Sequence, residues 1–221
     1  MVLAKLQGLL ERIYEFQSGY DVADYVITDF RLAQLLDSSG SKRKVREKLL
    51  VAESSGCLDL ALFIDSRVLE ELHADDPLES LHDGNLASFW IALEGVSHFL
   101  YVTRSVAHDR SVSLLELELQ AEVDKYVASI FLLSRQAGAG VSVRLHTWLF
   151  ERTTFDRSLD GETLERYRQA NRYAGRYCRH LNSRYLGAKR RSGLIAELRR
   201  FYRLPQHRKI RHIDMTTSAS A

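Results

Sequence analysis

Proline occurs only twice in these 221 residues, cysteine only twice, and charge-free stretches are short. Cys57 and Cys178 cannot build the disulfide framework of a small secreted protein, and their isolation lacks the paired spacing of zinc sites. A cytoplasmic location is therefore expected. No window approaches the roughly 18 apolar residues of a membrane span, since the stretch from Asn85 to Leu93 stops at Glu94, so no membrane span is expected. The opening MVLAKLQGLLERIYEF meets Glu11 and Arg12 before a signal-peptide centre develops and reads as part of the folded chain. A Gly-rich phosphate loop, G-x-S-x-G and HExxH are all missing, which withdraws support from the enzyme classes that carry them.

What is present is enough apolar material to fill a core, 45% of the chain, which excludes wholesale disorder and low-complexity arrays. Val2, Leu3, Leu6, Leu9, Leu10, Ile13 and Tyr14 recur at helical intervals and predict an opening helix ending near Ser18-Gly19. Residues 22–36 read as helix or strand, with helix preferred and Thr28 or Asp29 as a cap before Leu32, Leu35 and Leu36. KLLVAE, SSG and CLDLALFID alternate across a turn and predict a β-hairpin near residues 48–65. Asp65 or Ser66 then starts a helix, and Asp76-Pro77-Leu78-Glu79 predicts another short one, stopped by Gly84.

From Asn85 to Thr103 the only formally charged side chain is Glu94, and apolar residues cover nearly the whole circumference, so this is the expected central, buried helix. Ser113 and Glu116 have capping-box spacing for a helix to about Arg135. Residues 141–149 suit helix or strand, helix slightly preferred. A long helix from about Asp160 to Leu186 and a last one from Ser192 to Tyr202 complete the reading. The fold class is an α-rich α+β protein, a helical bundle-like core with one β-hairpin. Its organisation is an acidic body over 1–160, a basic helical segment packed on it over 161–213, and a mobile tail over 214–221.

Charge is unevenly divided. Residues 161–221 hold 15 Arg plus Lys against Glu162, Glu165, Glu197 and Asp214, a net +11, whereas the preceding residues hold 16 bases against 25 acids, a net −9. Arg168, Arg172, Arg176 and Arg179 share one side of the long helix, opposite Leu164, Tyr167, Ala174, Cys178, Leu181 and Tyr185, and have no acidic i+4 partners. With Lys189, Arg190 and Arg191 they form the candidate surface for an acidic protein or nucleic acid. A solvated face, or one set against the protein's own acids, is the plainer reading; arginine outnumbers lysine 24 to 7 throughout.

The second candidate is Glu94 with His98, one turn apart on the central helix, joined by Glu118 and Glu122 at the same spacing on the next helix. Packed antiparallel, the two helices could complete a carboxylate and imidazole metal site, although bundle sites of that kind use Glu-x-x-His on two helices and here the interval is one residue longer and occurs once. The sequence thus favours a non-enzymatic binding or regulatory protein, with the hairpin's edges suggesting a homodimer. A metal-dependent or acid-base enzyme built on Glu94 and His98 is the alternative, and no cofactor is specified.

Overall fold

The structure is a computed structural model that describes residues 1–38, 43–54, 57–136, 142–156, 158–186 and 193–218. The side chain of Cys57, Val141, the Lys189-Arg190-Arg191 run and the last three residues lie outside them. The described chain is mostly helical, with a small mixed sheet.

Helix α1 (Val2–Tyr14) buries Leu3, Leu6, Leu10, Ile13 and Tyr14 along one stripe. It stops four residues before the expected boundary, because Glu15 turns left-handed at φ 54° and its N–H returns to the Glu11 carbonyl. Gln7, on the same face, donates to the Tyr20 carbonyl at 2.7 Å and accepts from the Val22 N–H at 2.8 Å, which ties the following loop to the helix.

The ambiguous stretch 22–36 is neither one helix nor one strand. A 3-10 turn at Val22–Tyr25 leads into β1 (Val26–Ile27), and Asp29 caps the short α2 (Phe30–Leu36) by accepting from the Arg31 and Leu32 N–H groups. Leu32, Leu35 and Leu36, the leucines expected on that capped helix, are exposed; Ala33 is the buried one.

The hairpin forms as expected, with β2 (Glu47–Ser54) antiparallel to β3 (Cys57–Ile64). Its third strand comes from within the chain: β1 pairs parallel with β3 at Val26↔Leu62 and Ile27↔Phe63, giving the order β1-β3-β2. Alternation sends Leu62 and Ile64 into the main core and Leu50 and Phe63 to the opposite face, against Ala33 and Phe30 of α2. Glu47 pairs with Ile64 and so shares the core-facing side.

Helix α3 (Ser66–Ala74) starts at Asp65, whose carboxylate accepts from the Arg67 N–H. The helix expected after Asp76-Pro77 is only a turn. Gln136 satisfies its backbone instead, accepting from the Leu81 N–H at 2.8 Å and donating to the Pro77 carbonyl at 3.0 Å.

Helices α4 (Leu86–Val106) and α5 (Leu114–Gln136) form the centre. Their cross-contacts run in opposite numerical order: Trp90 to Ser129, Glu94 to Lys125, Ser97 to Asp124, Tyr101 to Glu116. The pair is therefore antiparallel, as a short connection requires. Among the described helices, α4 alone has the length and mean hydropathy of a membrane span, and 78% of that window is buried in the fold, as in a core helix.

The chain continues through α6 (Ser142–His146), a π-type turn (Thr147–Glu151), α7 (Gly161–Leu181) with a π-type extension (Asn182–Leu186), α8 (Leu194–Tyr202) and α9 (Gln206–Ser218). Helix α7 packs Ala170, Ala174, Gly175 and Cys178 into the core, and Asp160 caps it by accepting from the Thr163 N–H. The chain assigned to the tail from Asp214 is helical through Ser218. Arg176 holds it, donating to Asp214 at 2.8 Å and to Thr217 at 2.6 Å.

Candidate functional site

Six ionisable side chains meet where α4 and α5 cross the start of β2. The i, i+4 spacing puts Glu94 and His98 on one face of α4, and Glu118 and Glu122 on the facing side of α5, which also carries Lys125. Glu47 enters from β2. Gly95 admits it: a Cβ there would lie 2.9 Å from Leu62 Cδ1 and 3.0 Å from Glu47 Cγ, so helix and sheet approach more closely than a side chain allows.

His98 Nδ1 lies 3.4 Å from Glu47 Oε1, while its Nε2 is 3.8 Å from Glu118 Oε2, too far for a hydrogen bond. That Nε2 is buried and makes no hydrogen bond among the described residues. Donor atoms of Glu94, His98 and Glu118 all lie within 4.8 Å of one another, a span that one metal ion can bridge. Lys125 Nζ donates to Glu94 Oε2 at 2.9 Å and to Glu122 Oε1 at 2.8 Å. The His98 side chain is 9% exposed and that of Glu94 25%, so the cluster opens to solvent on the Glu94 side.

Burial raises the Glu118 carboxyl to about 8 against the opposing pull of His98, and it also raises Glu47 and Glu122. Glu94 goes the other way, because Lys125 and His98 outweigh its desolvation. Burial works against the His98 charge, yet Glu47, Glu118 and Glu94 together push the imidazole up to about 9. The same set of carboxylates, after burial itself, holds the Tyr167 phenol of α7 above its ordinary range.

The spacing-based candidates Glu94, His98, Glu118 and Glu122 are thus brought together. The direct partner of Glu94 is nevertheless Lys125, and that of His98 is Glu47. Neither was visible as a site residue: Glu47 lies 51 positions before His98, at the start of a strand, and Lys125 reads as an ordinary helix base.

The arginines divide. Arg176 pairs with Asp214, and Arg179 donates to Glu151 at 3.1 Å, both acids lying outside α7, whereas Arg172 lies over the Tyr173 ring and Arg168 is exposed. Two further side chains with reactive atoms are accounted for by packing. Cys178 is fully buried, and His146 donates its Nε2–H to the Gly175 carbonyl, 2.9 Å away.

A second buried polar network escaped the sequence reading. Asp124 accepts from Tyr14, from Ser97 at 2.6 Å and from Gln120 at 2.7 Å, and Gln120 in turn accepts from the fully buried Lys209. Burial lifts the Asp124 carboxyl to about 6 against these hydrogen bonds. The network joins α1, α4, α5 and α9.

Comparison of the chain with protein-family models, with curated proteins and with solved structures gives no match.

Proposed function

We propose that this protein is a metal-dependent enzyme whose centre is one divalent transition-metal ion held by His98 Nε2 and the Glu94 and Glu118 carboxylates. The observation that carries the reading is the His98 ring, more than nine-tenths buried, with Nδ1 turned to Glu47 and Nε2 left without a hydrogen bond beside two carboxylates. A buried, unsatisfied ring nitrogen is unfavourable by about 1–3 kcal/mol, and metal ligation removes that penalty. Glu47 fits the carboxylate that orients a ligating histidine. One imidazole with two carboxylates suits Mn²⁺, Fe²⁺ or Zn²⁺. Three protein ligands leave coordination positions open, the mark of a catalytic rather than a structural centre, and an ion held this way acts as a Lewis acid toward a carbonyl or phosphoryl oxygen or on bound water.

Metal analysis after reconstitution with each of these ions, followed by desalting, tests the proposal. Wild type is expected to keep about one equivalent of one of them, and His98→Ala and Glu118→Gln to keep none while retaining helical circular dichroism. Wild-type protein that retains no ion removes the reading.

The binding function of the basic C-terminal helices is a second reading, and the exposed Arg168 and Arg172 favour it, since among the described residues neither forms an ion pair. Its test is a lysate pull-down with and without nuclease, comparing wild type with a variant in which both arginines are glutamine. Equal recovery of the same partners by both proteins, with no nucleic acid in either, removes it.

A further inference from the structure

The arrangement of carboxylates has room in its chemistry for two cations, and one of the two positions is already filled by the protein itself. Glu94 and Glu122 face each other across α4 and α5, with Lys125 Nζ between them, 2.9 and 2.8 Å away. Glu94, His98 and Glu118 gather on the other side of the same Glu94 carboxylate. Glu94 is therefore the shared group: its Oε2 accepts from Lys125, and a ligand atom of the same carboxyl belongs to the metal-sized cluster.

From this we infer that the Lys125 ammonium occupies the place of a second metal ion, so that the site holds a single ion on the His98 side and Glu122 serves as counter-ion rather than ligand. The inference rests on the metal-centre reading above. Its physical basis is charge. Glu94 and Glu122 are largely withdrawn from water and need a cation between them, and a covalently tethered ammonium supplies one at high effective concentration. A dication entering the same position would meet that fixed positive charge at contact distance, where repulsion is strong in a poorly solvated site. The lysine thereby selects a one-ion chemistry, Lewis-acid activation at one centre, over the two-ion clamp that bridging carboxylates otherwise support.

Metal stoichiometry and Mn²⁺ electron paramagnetic resonance of wild type, Glu122→Gln and Lys125→Ala test this. Wild type is expected to bind one Mn²⁺ up to millimolar concentration, with the six-line spectrum of an isolated ion. Glu122→Gln keeps that single ion with less than a threefold change in affinity, because Glu122 is no ligand. Lys125→Ala, which removes both the charge and the bulk, takes up a second ion and shows spin coupling between the two. Two ions in wild type, a more than tenfold loss of affinity in Glu122→Gln, or a folded Lys125→Ala that still binds only one ion each overturn the inference while leaving the metal centre in place. Wild type that binds none overturns both. Where Lys125→Ala does not fold, wild type and Glu122→Gln decide the matter alone.

Discussion

Lys209 Nζ lies 4.7 Å from the centre of the Tyr101 ring and 4.8 Å from that of Phe201, fully buried and donating to Gln120. Desolvation pulls its pKa from 10.5 down to about 7, although Glu116 and Asp124 pull upward; Arg110 and Arg104 add to the downward shift, and Tyr202 completes the cage. The unfolded chain therefore binds a proton on this lysine up to about pH 10, while the folded chain releases it from about pH 7. Between those values the unfolded state carries more protons, so the contribution of Lys209 to stability rises with pH and is flat below about 7. Lys209→Met removes this dependence. The stability difference between wild type and Lys209→Met, followed by urea denaturation from pH 6 to 10, should move in favour of wild type by about 3–5 kcal/mol as pH rises. A difference independent of pH would sink the argument.

Two glycines on helices predict opposite outcomes. At Gly95 a methyl group meets Leu62 and Glu47 at 2.9 and 3.0 Å, so Gly95→Ala trades a helix-propensity gain of about 1 kcal/mol for overpacking of about 1–3 kcal/mol. A net loss of about 1 kcal/mol is expected, together with weaker metal binding, because Glu47 is displaced from His98. Among the described residues nothing lies within 4 Å of the same group built at Gly161, on the first turn of α7, and Gly161→Ala should stabilise by about 0.5–1 kcal/mol. Thermal melts of both variants rank them. The reverse order would show that the close approach of α4 to the sheet is not limiting.

Elements whose residues announce their own environment were readable from the chain. The helix from Asn85 is apolar all round and is buried, and the alternation of CLDLALFI is a strand with two packed faces. Elements decided by distant partners were not. Val26 and Ile27 are a strand only because β3 offers them an edge, the Pro77 segment is a turn because Gln136 takes its backbone groups, and α9 runs past Asp214 because Arg176 lies alongside. The same division applies to the site. Helical spacing exposes Glu94 with His98 and Glu118 with Glu122, since those pairs share a face within one helix. Glu47 is positioned by strand pairing and by a glycine on another helix, which spacing cannot register.

Glu47 gives the third prediction. It fixes the His98 ring through Nδ1 without being a metal ligand, so Glu47→Ala should weaken metal binding by 10- to 100-fold and leave the stoichiometry at one. Glu47→Gln, which can still accept at Nδ1, should recover most of that loss. Metal titration of both variants checks this. Complete loss of the ion in Glu47→Gln would make Glu47 a ligand instead.

The arginines of α7 give the last. Arg176 and Arg179 are engaged with Asp214, Thr217 and Glu151, whereas Arg168 and Arg172 are exposed. A polyanion drawn to this face gains most from the second pair, because the first must give up existing partners before it can bind phosphate. Arg168→Gln with Arg172→Gln should therefore weaken binding to single-stranded nucleic acid equally for every sequence and reduce the slope of log K against log salt by roughly one to two. Arg176→Gln should instead act on stability: it loosens α9 at about 0.5–1 kcal/mol, as for a partly exposed ion pair, and leaves the salt slope nearly unchanged. Filter binding across a salt series, with a melt of each variant, separates the two effects. Equal slopes in wild type and in the Arg168 and Arg172 variant would show that α7 presents no anion-binding face.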